Sequence, residues 1–288
     1  MHIISSQNLR VSILDADDHT VKAVTFDLWE TLIFERDGAS ARRRDARCRN
    51  LVRAVNSLGH PVSVEEMSVA INEMVSSMLT LWETNKDLAC IDQIRLIIAK
   101  VSKDSFELKR EWVKRLVSAY NLSVREIPPY LNPEARTALE DLKKRHKLIG
   151  LICNTGLTSG AALRQFLADE GVAEYFKLMI FSEEIDIRKP DPRIFHLAAK
   201  KMGVQPCEVV HVGDNLKADV WGAMNAGSKA IHFFSREGRD RIAESDPNSL
   251  LSQSQKLDNL KGHKAVPNMT ISSLSMLTKA IEQLERRT

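Results

Sequence analysis

The sequence has no long apolar run, few cysteines and little net charge, and each absence argues against a class of protein. No apolar segment approaches the roughly 20 residues of a membrane-spanning helix, so we expect no membrane partner. The 4 cysteines are scattered without a C-x-x-C pair, which indicates neither a zinc ribbon nor a dithiol redox site. Lys plus Arg is 41 and Asp plus Glu is 38, and the net charge of +3 argues against a nucleic-acid partner.

The same features bear on where the protein acts. Scattered cysteines in a chain with ample core-forming residues are typical of reduced thiols in a cytosolic protein. Residues 1–20 have no basic segment followed by an apolar run, so we expect no secretory signal there. We therefore expect a cytoplasmic location, while the sequence does not indicate an oligomeric state.

What the chain does have is an ordinary globular composition, with 43% hydrophobic and 27% charged residues over 288 positions. Short apolar runs predict strands at 21–26, 148–153, 177–181, 209–212 and 229–234, with an edge strand at 269–273. Helical patterns predict helices at 159–170, 192–202, 218–226 and 274–284. The alternation predicts an α/β fold, a Rossmann-like doubly wound parallel sheet with helices on both faces.

Residues 34–130 differ, because they carry helical periodicity and no convincing strand. Helices are predicted at 41–58, 64–82, 88–101 and 106–120, and Pro128 and Pro129 end the segment. We therefore predict three parts, which are an N-terminal extension at 1–20, an α/β core at 21–33 and 131–288, and an all-helical insertion at 34–130. Within the core, residues 235–267 are polar and predict a long surface excursion.

Polar residues follow the predicted strands at the point where each strand ends. They are Asp27 after the first strand, Asn154, Thr155 and Gly156 after the second, Lys189 beyond the third, and Asp214 and Asp219 after the fourth. Ligands of parallel sheets bind beyond the carboxyl ends of the strands, so we expect these residues to converge. Gathered carboxylates favour a hard cation such as Mg²⁺, and a carboxylate can also form an aspartyl-phosphate.

Four segments in this order resemble the motifs of the haloacid dehalogenase superfamily. They are 26–32 (FDLWETL), 152–155 (ICNT), 188–192 (RKPDP) and 212–219 (VGDNLKAD). The resemblance covers residues 21–234, and the helical insertion stands in the place of the family's cap. It implies a Mg²⁺-dependent phosphatase that acts on a small phosphorylated or other anionic substrate.

The resemblance also implies catalytic roles for matching residues. Asp27 is expected to be the nucleophile, and Lys189 to hold both the nucleophile and the phosphoryl group. Thr31 is expected to shape the loop after the first strand. The backbone amides around Asn154 and Thr155 are expected to neutralise phosphoryl oxygens.

A metal site is implied by the same motifs. Asp214 is expected to bind Mg²⁺ together with the carboxylate of Asp27 and the backbone carbonyl of Trp29. Asp219 is expected to support this site, directly or through water.

Two positions depart from the family pattern. Family phosphatases have a second Asp two residues after the nucleophile as general acid and base, whereas Trp29 has only an indole N–H donor. Loss of a general acid typically costs ~10²–10⁴-fold in rate, and the side chain of Glu30, next in the chain, is expected to point elsewhere. Cys153 stands where the family has a Ser or Thr hydroxyl, for which Thr155 is a candidate substitute.

These departures leave two alternatives to a phosphatase. The superfamily's 2-haloacid dehalogenases also have an aromatic residue in place of the second Asp, and their Asp nucleophile works without metal. However, their fourth motif lacks the Gly-Asp pair, which is present here as Gly213 and Asp214. Asp214 has little use without a metal. The other alternative is a catalytically impaired binding or regulatory protein, since a fold does not establish activity.

Candidate substrate-binding residues lie in the loops and the insertion. Seven arginines stand near its start: Arg36, Arg42, Arg43, Arg44, Arg47, Arg49 and Arg53. A solvated helix face explains most of them, with Arg42 and Arg43 the exceptions that are expected to select an anionic substrate. Trp29 is expected either to line the pocket or to seal the seam between insertion and core. Cys153 and Gly156 complete the candidate set.

Overall fold

A computed structural model describes residues 20–102, 109–234 and 265–286. The strands are β1 (Ala23–Phe26), β2 (Ile33–Phe34), β3 (Tyr130–Leu131), β4 (Leu148–Cys153), β5 (Leu178–Phe181), β6 (Val209–Gly213), β7 (Lys229–Phe233) and β8 (Met269–Ile271). Six of them form a parallel sheet in the order β5-β4-β1-β6-β7-β8. The predicted parallel sheet is confirmed, and β8 is the expected edge strand.

The helices are α1 (Ala39–Asn56), α2 (Val64–Trp82), α3 (Cys90–Ser102), α4 (Arg110–Glu126), α5 (Ala135–Lys144), α6 (Gly160–Asp169), α7 (Ser182–Ile185), α8 (Pro192–Met202), α9 (Gly222–Asn225) and α10 (Leu277–Arg286). A π-helical turn at Leu216–Trp221 leads into α9. The ends follow local chemistry in α8, where Asp191 caps the first turn, Pro192 is the first helical residue and Gly203 ends the helix with φ 79°. The sequence analysis missed α5.

Helices cover both faces of the sheet because successive strand residues point to opposite sides. Val24 of β1 packs in one apolar cluster with residues of α5, α6 and α10. Ala23, one position earlier, packs in another cluster with Phe195 of α8 and Ala223 of α9. This burial on both faces confirms the predicted doubly wound α/β class.

Helices α1 to α4 form an insertion with its own apolar cluster. The chain enters and leaves it through an antiparallel ribbon in which Ile33 pairs with Leu131 and Phe34 with Tyr130. The expectation of no strand in 34–130 is therefore wrong at both ends, because two-residue strands are too short to show a period. Helix α4 also continues to Glu126, beyond its predicted end.

Some predictions fall outside the described residues. These are the extension at residues 1–19, positions 106–108 of a predicted helix, and the polar segment at 235–264. The exact domain boundaries and the cytoplasmic location also stay predictions. Among the described residues, no helix combines the length and the apolar character needed to cross a membrane.

Candidate active site

Asp27 follows β1 directly, and its backbone N–H donates to the carbonyl of Val212 at 2.8 Å. The residue is only 7% exposed, and its Oδ1 lies 2.5 Å from Nζ of Lys189. Burial and the nearby Asp219 raise the pKa of Asp27 to about 6, although Lys189 opposes this shift. The carboxylate for which the family resemblance implies a nucleophilic role therefore lies buried against the cation of Lys189.

Lys189 joins two carboxylates, since its Nζ also lies 2.7 Å from Oδ1 of Asp219. Burial alone would lower the pKa of Lys189, but the carboxylates of Asp219 and Asp27 raise it above its usual value. The amine is therefore a fixed positive charge at neutral pH. An anion bound beside Asp27 would lie within reach of this ammonium group.

Both carboxylate oxygens of Asp219 have hydrogen-bond or ion-pair partners. Although burial favours the neutral acid, Lys189 and His211 hold the pKa of Asp219 well below its usual range. Oδ1 of Asp219 lies 3.2 Å from Nε2 of His211, and Oδ2 accepts from the backbone N–H of Asn215 at 3.0 Å. A Cβ on Gly213 would lie 2.4 Å from the Asp219 carboxylate carbon, so this close approach requires glycine.

His211 supports Asp219 from inside the sheet. Burial lowers the pKa of His211, so its ring is neutral. Because a carboxylate only accepts hydrogen bonds, Nε2 carries the proton, and Nδ1 accepts from the Thr25 hydroxyl at 2.9 Å. The imidazole is therefore buried between Thr25 and Asp219 and hydrogen-bonded at both ring nitrogens.

Asp27, Asp214 and Asp219 form an acidic cluster whose ligand oxygens all lie within 4.8 Å of one another. Burial and the carboxylates of Asp219 and Asp27 raise the pKa of Asp214 well above its usual value. Lys189 is the cation in direct contact with this cluster among the described residues. Oxygen donors that repel one another in this way fit a hard divalent cation such as Mg²⁺.

The loop after β1 folds back on itself. Trp29 forms an isolated bridge with Ile33 through the flanking residues, since Ile33 donates to the Leu28 carbonyl and Glu30 donates to the Ile33 carbonyl. The carbonyl of Trp29 is not used in this bridge. Glu30 itself is buried and has φ 55°, a left-handed conformation that favours glycine.

Thr31 is fully buried in the same loop, and its hydroxyl has no hydrogen-bond partner among the described residues. Its carbonyl accepts from the side chain of Asn132 at 2.9 Å. Thr31 therefore ties the loop to the segment that follows β3. A role in shaping the loop stays a prediction.

Asn154 positions the segment that carries Lys189. Its Nδ2 donates to the Lys189 carbonyl at 2.9 Å, and its Oδ1 accepts from the Lys189 N–H at 2.8 Å. Both polar ends of the amide therefore hold the lysine backbone. The expected contact of this region with phosphoryl oxygens stays a prediction for its backbone amides.

Cys153 ends β4 and is fully buried. Burial and the nearby Asp27 raise the pKa of the Cys153 thiol well above its usual value, so the sulfur stays protonated. Thr155 is also buried, and its hydroxyl lies 3.1 Å from Oγ of Ser182. The carbonyl of Gly156 accepts from Gln93 of α3 at 3.2 Å.

The two arginines expected to select an anion differ in the structure. Arg42 is exposed and donates to the Asp37 carbonyl. Arg43 is buried, and its two terminal nitrogens lie 2.5 and 3.0 Å from the carboxylate of Glu35. Its guanidinium also lies 5.8 Å from the ring centroid of Trp29, which places Trp29 at the seam between insertion and core. The charge of Arg43 is therefore already neutralised.

Sequence reasoning missed a buried polar cluster that joins the insertion to the site. Oδ2 of Asp87 accepts from Arg188 at 2.7 Å and from Ser182 at 2.5 Å, while Oδ1 accepts from the Trp82 indole at 3.0 Å. Arg188 also donates to the Thr155 carbonyl and stacks 3.9 Å from the Trp82 ring centroid. No local signal marks Asp87, because its partner Arg188 is 101 positions away.

Glu183 forms a second connection of this kind. Its carboxylate accepts from the N–H of Cys90, the first residue of α3, at 2.7 Å. It also accepts from the N–H of Gly160, the first residue of α6, at 2.6 Å. One side chain therefore caps a helix of the insertion and a helix of the core.

Residues 21–227 match the family model of haloacid dehalogenase-like hydrolases. The chain belongs to this family. Glyceraldehyde 3-phosphate phosphatase of Methanopyrus kandleri is 29% identical over 218 residues, which is 74% of this chain and 84% of that protein. Phosphoserine phosphatase of Thermus thermophilus is 37% identical over 121 residues, covering 42% of this chain and 47% of that protein. The haloacid dehalogenase-like chain is thus a hydrolase, and these relatives favour a phosphatase over a dehalogenase.

Solved structures of the family share the fold. A 2-haloacid dehalogenase from Pseudomonas syringae superposes with a TM-score of 0.63 at 22% identity, covering 92% of this chain and 99% of that chain. A haloacid dehalogenase-family phosphatase from Thermococcus onnurineus gives a TM-score of 0.53 at 20% identity, covering 90% and 96%. At such identities the likeness bears on fold alone, so the dehalogenase neighbour does not decide the chemistry.

Proposed function

We propose that this chain is a Mg²⁺-dependent phosphatase that hydrolyses a small phosphomonoester through an aspartyl-phosphate on Asp27. The observation that carries the proposal is the buried Asp27–Lys189 contact beside the cluster of Asp27, Asp214 and Asp219. A nucleophilic carboxylate, a fixed cation and a place for a divalent metal together supply what phosphoryl transfer needs.

The metal would be held by the carboxylates of Asp27 and Asp214 and the carbonyl of Trp29. Asp219 would support the site, because its two oxygens are already engaged by Lys189, His211 and Asn215. When bound, Mg²⁺ would neutralise phosphoryl oxygens.

The chain's own residues carry the two chemical steps. A carboxylate oxygen of Asp27 attacks phosphorus, the ester P–O bond breaks, and Lys189 holds the transferring group by its charge. Water then attacks the aspartyl-phosphate and releases inorganic phosphate, which regenerates the Asp27 carboxylate. Because the indole N–H of Trp29 is not acidic near neutral pH, the departing alkoxide takes its proton from water, and substrates with good leaving groups are favoured.

The test is hydrolysis of p-nitrophenyl phosphate with Mg²⁺ and with a chelator. We expect activity that needs the metal and is lost in Asp27→Asn, while the exposed control Asp169→Asn keeps it. Acid-quenched wild type should carry one phosphoryl group on Asp27 by mass spectrometry.

Metal-independent hydrolysis, or unchanged activity in Asp27→Asn, would overturn this mechanism. Chloride release from 2-chloropropionate without metal would instead indicate the dehalogenase. Absence of both activities, together with no Mg²⁺ binding by calorimetry, would favour a binding or regulatory protein.

A further inference from the structure

Arg47 of α1 is a buried cation that forms no ion pair with any residue in 20–102, 109–234 or 265–286. The residue is only 2% exposed, and its Nη2 has no hydrogen-bond partner among the described residues. Its Nε donates to the Tyr120 carbonyl at 3.3 Å, and its guanidinium lies 4.6 Å from the Tyr120 ring centroid. Burying a guanidinium with an unpaired N–H group costs free energy, so we expect Arg47 to have a further hydrogen-bond partner.

The described groups around Arg47 do not supply a negative charge. The Tyr120 hydroxyl donates to Oε1 of Gln93 at 2.5 Å, and burial raises the pKa of Tyr120 above its usual value. Burial and the nearby Glu183 raise the pKa of the Cys90 thiol to about 12, so this group is neutral as well. The carboxylate of Glu183 is already occupied by two helix N-termini. Within the part of the chain that the structure describes, no group therefore balances the positive charge of Arg47, which leaves it for a ligand.

Arg47 lies on the side of the insertion that meets the candidate site. Arg43, four residues earlier on the same face of α1, lies 5.8 Å from the ring of Trp29 in the loop after β1. On the other side, Gln93 links Tyr120 to the carbonyl of Gly156 in the loop after β4. The surroundings of Arg47 thus reach both loops that border Asp27.

We propose that Arg47 binds a second anionic group of the substrate, with a carboxylate as the smallest such group. The inference rests on the proposed phosphatase function and adds the substrate class, a small phosphomonoester with an anion at the end away from phosphorus. Arg43 cannot take this role, because Glu35 already pairs with it through two hydrogen bonds. The planar guanidinium of Arg47 can meet a carboxylate with charge-assisted hydrogen bonds.

The test compares three probes that share a three-carbon phosphate ester and differ at the far carbon. They are 3-phosphoglycerate with a carboxylate, glyceraldehyde 3-phosphate with an aldehyde, and glycerol 3-phosphate with an alcohol. In wild type, kcat/KM should be highest for 3-phosphoglycerate. In Arg47→Met the ratio of kcat/KM for 3-phosphoglycerate to that for glycerol 3-phosphate should fall about 10- to 100-fold.

Two further variants separate charge from packing. Arg47→Lys should recover part of the ratio, because it restores a cation without the planar fork. Arg49→Met, at an exposed position of the same helix, should leave the ratio as in wild type. The thermal midpoint of Arg47→Met should be no lower than that of wild type, because an unpaired buried charge has been removed.

An equal loss on all three probes, or a wild type without preference for the carboxylate, would overturn the proposal. Calorimetry keeps this failure distinct from failure of the phosphatase function. Asp27→Asn should bind 3-phosphoglycerate more tightly than glycerol 3-phosphate, and adding Arg47→Met should remove that difference even if no variant turns over. Equal binding of the two probes by Asp27→Asn would contradict the subsite.

Discussion

The carboxylate of Asp87 and the guanidinium of Arg188 lie 2.7 Å apart in a buried ion pair. Asp87 comes from the loop between α2 and α3 of the insertion, whereas Arg188 immediately precedes Lys189. The pair therefore connects the insertion to the segment whose Lys189 ammonium group contacts Asp27. Because Arg188 also donates to the Thr155 carbonyl, two loops of the candidate site depend on it.

Breaking this pair should be costly. Asp87→Ala leaves a buried guanidinium without its partner, so the free energy of unfolding should fall by about 3–5 kcal/mol in urea denaturation. The double variant Asp87→Leu/Arg188→Met removes both charges and should lose less than the sum of the two single changes. Additive losses would contradict a direct energetic link between the residues.

Glu183 should make stability depend on pH in the neutral range. Burial raises the pKa of Glu183 from 4.5 to about 7, so between these values the folded protein binds more protons than the unfolded chain. The stabilising contribution is present at low pH and is lost as pH rises from about 4.5 to 7. The loss should amount to roughly 2–3 kcal/mol.

The matched comparison for this effect is the neighbouring carboxylate. Glu183→Gln should flatten the part of the pH–stability profile that this group causes, measured by urea unfolding between pH 4.5 and 8. Glu184→Gln, whose carboxylate pairs with Arg164 at the surface, should leave that part in place. Identical profiles for wild type and Glu183→Gln would contradict the prediction.

Glu30 should reveal the cost of its backbone conformation. At φ 55°, an alanine meets the same left-handed strain as any residue with a Cβ, whereas glycine does not. Glu30→Gly should therefore be more stable than Glu30→Ala by about 1 kcal/mol. The order of the two thermal midpoints checks this, and equal midpoints would show that the loop relaxes without strain.

Restoring an acid at position 29 should restore rate. Trp29→Asp keeps the backbone carbonyl and adds a group that can exchange protons, so hydrolysis of alkyl phosphates should rise by ~10²–10⁴-fold. The gain should be smaller for p-nitrophenyl phosphate, whose leaving group needs little help. Trp29→Asn introduces a side chain of the same shape as Asp without the acid, and it should show no such gain. A gain in both variants would show that removal of the large indole, and not the added acid, raises the rate.

The fold was predictable because buried parallel strands are continuous apolar runs, and the residues that follow them are marked by strand order. Asp27, Lys189, Asp214 and Asp219 therefore come together as expected, although their roles stay predictions. Arg47 was assigned to a solvated helix face, which is wrong because helical periodicity does not tell which polar positions are buried. Asp87 had no signal at all, since its partners come from a distant part of the chain.

The sheet register has a consequence for the order in which this chain acquires structure. Ala23 of the central strand pairs with Leu148 on one side and with Val209 on the other. Contacts so distant along the chain form slowly, whereas helices α1 to α4 pack mainly among themselves. During synthesis, the strands that pair with β1 therefore emerge much later than β1 itself. The helices α1 to α4 emerge before those strands and can pack against one another first.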